Sequence, residues 1–163
     1  MEHLVTHGNS GNEISGISTH FFVPGRAVPQ GSLKFINGHA IHVRANDLAV
    51  WRATIANCAR HAQVGKAQEG VEINVIFQLA RPKTVKRKEP HKRPDIDKLA
   101  RAVLDALTGV AYEDDEQVVK LTASKEYAET EGAWIKIIDR EKLSRSLNRA
   151  ESVIDDYFNA YSD

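Results

Sequence analysis

Asp95 and Asp97 stand two positions apart just ahead of an apolar-periodic segment, and a second acidic knot, Glu113-Asp114-Asp115-Glu116, follows that segment. Carboxylates packed this closely repel one another unless something positive sits between them. Magnesium meets that need, because it takes oxygen ligands and is commonly held by one or two carboxylates together with phosphate. A basic run over residues 81–93 leads into the first pair. There Arg81, Lys83, Lys86, Arg87, Lys88, Lys92 and Arg93 are opposed by Glu89 alone, and Pro82 and Pro90 argue against a continuous helix. Taken alone, such a run reads as a solvated loop. Its place between a strand and a carboxylate cluster favours phosphate contact instead. The combination implies metal-dependent chemistry on nucleic acid.

Each acidic motif has an ordinary explanation. Aspartate caps helices and suits the positive end of the helix dipole, and four acidic residues in a row can be an exposed turn. One cap needs one aspartate, however, and two are present. A shared metal site requires that the intervening helix bring Asp115 near Asp95 and Asp97, which a strand–helix–strand unit can do. Competing chemistries fit poorly. A calcium EF-hand would need Asp or Asn and then Gly where Leu99 and Ala100 stand. Zinc lacks a cysteine pair, and on a strand His39 and His42 point to opposite faces. His3 and His7 have no helix to bring them together. No Walker lysine motif, dinucleotide fingerprint or Ser-His-Asp set is evident.

The flanking elements follow from periodicity. A strand is expected over residues 19–23, ended by Pro24-Gly25, and a hairpin over 33–43 around Asn37-Gly38. Asn46 or Asp47 caps a helix reaching about Val64, with Leu48, Trp51, Ile55, Cys58, Ala59 and Ala62 on one face. Cys58 is then a core thiol. Residues 71–80 alternate as a strand, with Ile73, Val75, Phe77 and Leu79 inward and Ile76 outward, consistent with cover on both sides. Residues 97–108 are helical, with Leu99, Val103, Ala106 and Leu107 as the apolar stripe and Lys98, Arg101, Asp105 and Thr108 as the polar one; Gly109 ends the helix. Asp97 and Arg101 are neighbours at i,i+4, and Asp105 is explained by pairing with Arg101 one turn earlier. A strand over 118–127 puts Lys125 on an apolar face, either snorkelling to solvent or aimed at the carboxylates. A strand over 133–138 is expected antiparallel to it. A last helix over 140–161 carries Leu143, Leu147, Ala150, Ile154, Phe158 and Tyr161 at helical spacing, and its stripe needs cover on the domain or across a dimer.

The 163 residues suit one domain, with 42% apolar and 27% charged residues, as in a globular protein. Formal net charge is zero, so any nucleic-acid footprint is local. A single cysteine excludes an intrachain disulfide and fits a reducing compartment. No run approaches a membrane span and the start lacks a secretion pattern, so a cytoplasmic protein is expected, with no membrane partner.

Pro94-Asp95-Ile96-Asp97, then Leu104-Asp105-Ala106-Leu107, Asp114-Asp115-Glu116-Gln117-Val118 and the downstream Lys125 resemble the RusA family of Holliday-junction resolvases. Val23 to Ser32 and Trp51-Arg52 resemble the family's N-terminal half, so the resemblance spans roughly residues 21–138. It implies an α/β (α+β) domain, a small mixed sheet with flanking helices, here over residues 19–139. A flexible lead-in over 1–18 and a C-terminal helical extension over 140–163 flank it. It implies a homodimer that cuts four-way DNA junctions with Mg²⁺, for which Mn²⁺ substitutes. It further implies that Asp95, Asp97 and Asp115 bind metal, with Asp114 beside them. Arg101 falls where the family has a lysine, and Lys98 where it has an asparagine; guanidinium and ammonium are not equivalent. Arg101 and Lys125 are then expected to offset transition-state charge. Lys86, Arg87, Lys88, Lys92, Arg93 and Lys98 are the expected DNA contacts. Family members are often phage-borne, which would place the protein in a host cytoplasm. A magnesium nuclease acting on flaps or forks and a non-catalytic DNA-binding protein are the alternatives.

Overall fold

The computed structural model describes residues 16–31, 33–36, 39–42 and 45–160. Most of the expected N-terminal lead-in and the Asn37-Gly38 turn lie outside the described residues. The chain runs β1 (Ser18–Pro24), β2 (Leu33–Ile36), β3 (His39–His42), α1 (Ala45–His61), β4 (Val71–Ala80), α2 (Ile96–Leu107), β5 (Val118–Ala128), β6 (Gly132–Asp139) and α3 (Arg140–Ala160). A short 3-10 turn, Asp115–Gln117, precedes β5. The result is the mixed α+β architecture expected, with a C-terminal helix.

The main sheet has four strands in the order β1-β6-β4-β5. β4 and β5 are parallel and joined through α2, so the expected strand–helix–strand unit is present, but it does not bring Asp115 near Asp95 and Asp97: these two stand at the head of α2, beside the Lys125 end of β5, whereas Asp115 precedes the other end of that strand. β6 runs antiparallel to β5 as expected, but it does not pair with it. It crosses β4 and lies between β4 and β1, antiparallel to both. The reason is burial: Ala133, Ile135 and Ile137 are nearly inaccessible at a central position, whereas the edge strand β5 leaves Val119 and Leu121 exposed. β2 and β3 form a separate antiparallel hairpin in the register Ile36 opposite His39.

One face of the sheet carries the core. Phe21, Val23, Val71, Ile73, Val75, Phe77, Ile135 and Ile137 pack with Leu48, Trp51, Ile55 and Ala59 of α1 and with Leu99, Val103, Ala106 and Leu107 of α2. Cys58 is half-buried and packs against this core, and burial pushes its thiol pKa up, as a structural cysteine requires. The other face is more open: Ile76 and Trp134 remain partly exposed, so the cover expected on both sides of β4 is incomplete. Phe22 and Trp134 stack there with ring centroids 5.1 Å apart.

Also on that face, the buried Glu72 carboxylate meets Lys120 Nζ at 3.1 Å and Arg140 Nη1 at 3.3 Å. A hydrogen bond from Lys120, then one from Asn74 with Arg140 adding to them, holds its carboxyl below the usual range. A depressed carboxylate contributes stability above its unfolded pKa and loses it as pH falls through the folded value. Glu72→Gln is therefore expected to flatten the acid limb of melting temperature against pH; an unchanged limb would remove Glu72 from the account.

Candidate active site

The site is assembled around the start of α2. Asp95 occupies the N-cap position with extended backbone, yet its side chain makes no capping hydrogen bond. The capping role, which would explain an aspartate here, is not the role this carboxylate performs. Its Oδ2 lies 3.4 Å from Lys98 Nζ one turn on. Asp97, in the first helical turn, is exposed, and so is Arg101. Both sit on the solvent side of a helix whose other side is fully buried.

Lys125 anchors the approach to this helix. Its ammonium leaves β5, the neighbouring parallel strand, and donates to the carbonyls of Lys92 at 3.0 Å and Pro94 at 2.9 Å. The Arg93–Pro94 peptide between them is cis. Of the two expectations for Lys125, solvent or carboxylates, neither describes it: the charge is spent on the two carbonyls that flank Arg93, immediately before Asp95.

The acidic knot divides its labour. Glu113 pairs with Lys66. Asp114 caps the 3-10 turn, accepting from Glu116 N at 3.0 Å, while Gln117 Oε1 accepts from Glu113 N at 2.8 Å and Asp114 N at 3.2 Å. Gln117 Nε2 in turn donates to the carbonyls of Ala67 and Glu69, stapling the turn to the segment ahead of β4. Asp115 is left exposed at the head of the turn. Beneath it Tyr112 is fully buried and donates to Leu104 O at 2.8 Å; burial first, then the charges of Asp115 and Asp105, push its pKa up. Tyr112 thus ties the acidic turn to the last turn of α2. Gln117 and Tyr112 were not singled out from sequence as positioning residues, though the capping-box spacing from Asp114 to Gln117 is a local signal that points to the first.

Asp105 does not pair with Arg101. Its carboxylate is held by Arg52 of α1, which also bonds Gln30. The backbone N–H of Gln30 donates to Lys98 O at 2.9 Å, so the loop after β1 is moored to the first turn of α2. Arg52 wins because α1 and α2 pack side by side, whereas Arg101 points to solvent.

Between that loop, the end of β4 and the basic run lies a cleft of about 580 Å³. Val28, Leu79 and Tyr127 contribute to its wall, and Arg26, Arg87, Arg93 and Lys98 line it together with Asp95. The basic run is built of turns, with Val85 N bonded to Pro82 O and His91 N to Glu89 O. Arg81 and Arg87 lie over the Tyr127 ring at 5.0 and 6.0 Å. Arg87 Nε is buried without a hydrogen-bond partner among the described residues. Lys86, Lys88, Lys92 and Arg93 are exposed.

The family model for the endodeoxyribonuclease RusA matches residues 24–138. The chain belongs to the RusA family. That membership makes it an endodeoxyribonuclease of the Holliday-junction-resolvase kind, for which branched DNA is the implied substrate. No curated protein matches the chain. The matched span of this RusA-family chain runs from the end of β1 through β6 and contains Asp95, Asp97, Asp114, Asp115, Arg101 and Lys125; α3 lies beyond it. Among the described residues no three His, Cys, Asp or Glu side chains converge closely enough to hold a metal ion. Asp95 and Asp97 lie at one end of α2 and Asp114 and Asp115 beyond the other, so the expected approach of Asp115 to the first pair does not occur within the chain; the donor type alone, exposed carboxylate oxygen, suits magnesium. Among the described residues no helix is long and apolar enough to cross a membrane.

Proposed function

We propose that this RusA-family chain is a magnesium-dependent enzyme that resolves four-way DNA junctions by paired phosphodiester hydrolysis, acting as a homodimer in the cytoplasm. The observation that carries the reading is the Asp95 carboxylate. It stands where an aspartate would cap a helix, does not cap, and lines a cleft with four cations. A purely structural domain leaves that arrangement without a purpose. A C2 dimer matches a substrate in which two strands are cut symmetrically.

Asp95 and Asp97 would hold Mg²⁺, or Mn²⁺ in its place, at the head of α2; Asp114 and Asp115, beyond its far end in the same chain, would contribute at a separate position. When bound, the metal lowers the pKa of the attacking water and stabilises charge on the phosphate. The remaining work belongs to the chain. Lys125 fixes the backbone that presents Asp95. Arg101, exposed one turn beyond Asp97, supplies positive charge toward the attacked phosphate. Lys98, Lys92, Arg93 and the 86–88 triad neutralise neighbouring phosphates. Water adds to phosphorus and the 3′ oxygen departs with a proton, leaving a 5′-phosphate and a 3′-hydroxyl.

The test is incubation of labelled four-way junction, linear duplex and flap DNA with the protein, with and without Mg²⁺. Cutting confined to the junction and dependent on metal is expected. Preference for flaps would move the chain to another branched substrate, and binding without cutting would make it a DNA-binding protein.

Replacing Lys86, Arg87 and Lys88 together with alanine is expected to weaken junction binding and flatten its salt dependence, by a slope of about 0.9 for each phosphate that is no longer neutralised. Gel shifts over a range of salt read that slope. An unchanged slope would leave the loop as a solvated surface.

A further inference from the structure

Helix α3 lies outside the family match, and the nuclease domain does not explain it. Its root is fixed. Arg140 N bonds Gly70 O at 3.0 Å, Arg140 reaches Glu72, Lys142 pairs with Asp139, and Leu143 is half-buried. From residue 144 to residue 157 every side chain is exposed. Leu147, Val153, Ile154 and Tyr157 are each more than half accessible. The apolar stripe, expected to be covered on the domain or across a dimer, is therefore not covered by the domain beyond its first turn.

Two features say what covers it. Leu143, Leu147, Ala150, Ile154 and Tyr157 recur at alternating spacings of four and three, the heptad seam by which one helix packs along another. The charges are the second feature. Residues 140–149 carry Arg140, Lys142, Arg145 and Arg149 against Glu141, whereas residues 150–160 carry Glu151, Asp155 and Asp156 and no cation. A lone helix gains from acid at its start and base at its end. This helix has the opposite polarity, so its charge layout weakens it in isolation. Laid antiparallel against an identical helix, each basic half faces an acidic half; laid parallel, like faces like.

We infer that α3 is an association element that pairs antiparallel, along the Leu147–Ile154 seam, with α3 of a second copy of this chain. Such pairing is isologous and closes on itself. It sets each basic half against an acidic half, beyond the Arg145–Glu141 pair within the helix, and removes an exposed stripe from water. The seam is short, and isolated helices of this length are marginal in water, so the rooted base that fixes its direction matters. The inference stands on α3 alone and does not depend on cleavage.

The test is mass in solution by light scattering or sedimentation over a concentration series, using the full chain. Leu147→Glu with Ile154→Glu is expected to remove one doubling of mass: dimer to monomer, or tetramer to dimer if the domains also pair elsewhere. Arg145→Glu with Arg149→Glu, and separately Asp155→Lys with Asp156→Lys, should each weaken association at least tenfold, and mixing the two variants should restore it. These are surface changes, so circular dichroism of the charge variants should match the parent. Wild-type mass in the Leu147/Ile154 variant would overturn the inference. So would charge variants that associate unchanged, or a loss of association on Trp134→Lys instead, which would put the partner on the open face of the sheet.

Discussion

Asp97→Asn and Asp115→Asn are each expected to lower single-turnover cleavage of a four-way junction by on the order of 10³-fold or more, with junction binding retained or tightened. Asparagine keeps the shape and removes the charge that would hold Mg²⁺. It also removes a negative group that would face the DNA backbone, so repulsion is expected to fall as cutting is lost. Both side chains are exposed and neither supports the core, so melting temperature should stay near the parent's. Asp105→Asn makes the contrast. Its carboxylate is held by Arg52 between α1 and α2, so its loss should appear in stability before it appears in rate. The measurement is a gel shift and a quenched cleavage time course on the same junction for all three variants. Parental cleavage by Asp97→Asn or Asp115→Asn would remove these residues from the metal set.

Lys125→Met is expected to slow cleavage by roughly 10²-fold while leaving junction affinity within a few-fold of the parent. Among the described residues the ammonium touches no carboxylate. It holds the carbonyls of Lys92 and Pro94, which bracket the approach to Asp95. Methionine retains the half-buried stem but cannot donate, so the turn is freed and Asp95 is presented less accurately. Two carbonyls also lose a charged donor, and a loss of about 1.5–3 kcal/mol per bond bounds the accompanying destabilisation. A direct electrostatic role would behave differently. Lys125→Arg would then preserve rate through its charge, whereas a positioning role predicts that Arg, with its planar fork, fails to satisfy both carbonyls. Rate and melting temperature measured for both variants separate the two.

The local signals were the legible ones. The stripe of α2 is buried residue for residue, and Gly109, with φ of +77°, closes the helix as its position foretells. The alternation of β4 placed Ile73, Val75, Phe77 and Leu79 on the core face. What failed was non-local. β6 follows β5 closely in sequence but pairs with β4 and β1 instead, because strand partners are chosen by burial and not by chain proximity. Asp105 has a cation one turn earlier, yet it takes Arg52, fifty-three positions away, because α1 packs against it. Lys125 was recognisable as an odd cation on an apolar face, but its carbonyl partners belong to a loop whose path no periodicity encodes. Type and spacing single out the aspartates as candidates, and the family resemblance assigns them a metal role. Which of them cap, pair or remain exposed became clear only from the hydrogen bonds around Gln117 and the absence of one at Asp95.

The most direct measurement uses a supercoiled plasmid that extrudes a cruciform, incubated with the wild-type chain and Mg²⁺. Paired cutting within one bound complex converts it straight to linear DNA whose ends map to the cruciform and carry 5′-phosphates. That product, absent when metal is chelated, is the expected result. Nicked circles alone, or no change in the presence of Mg²⁺, would contradict the assignment of a junction-resolving enzyme.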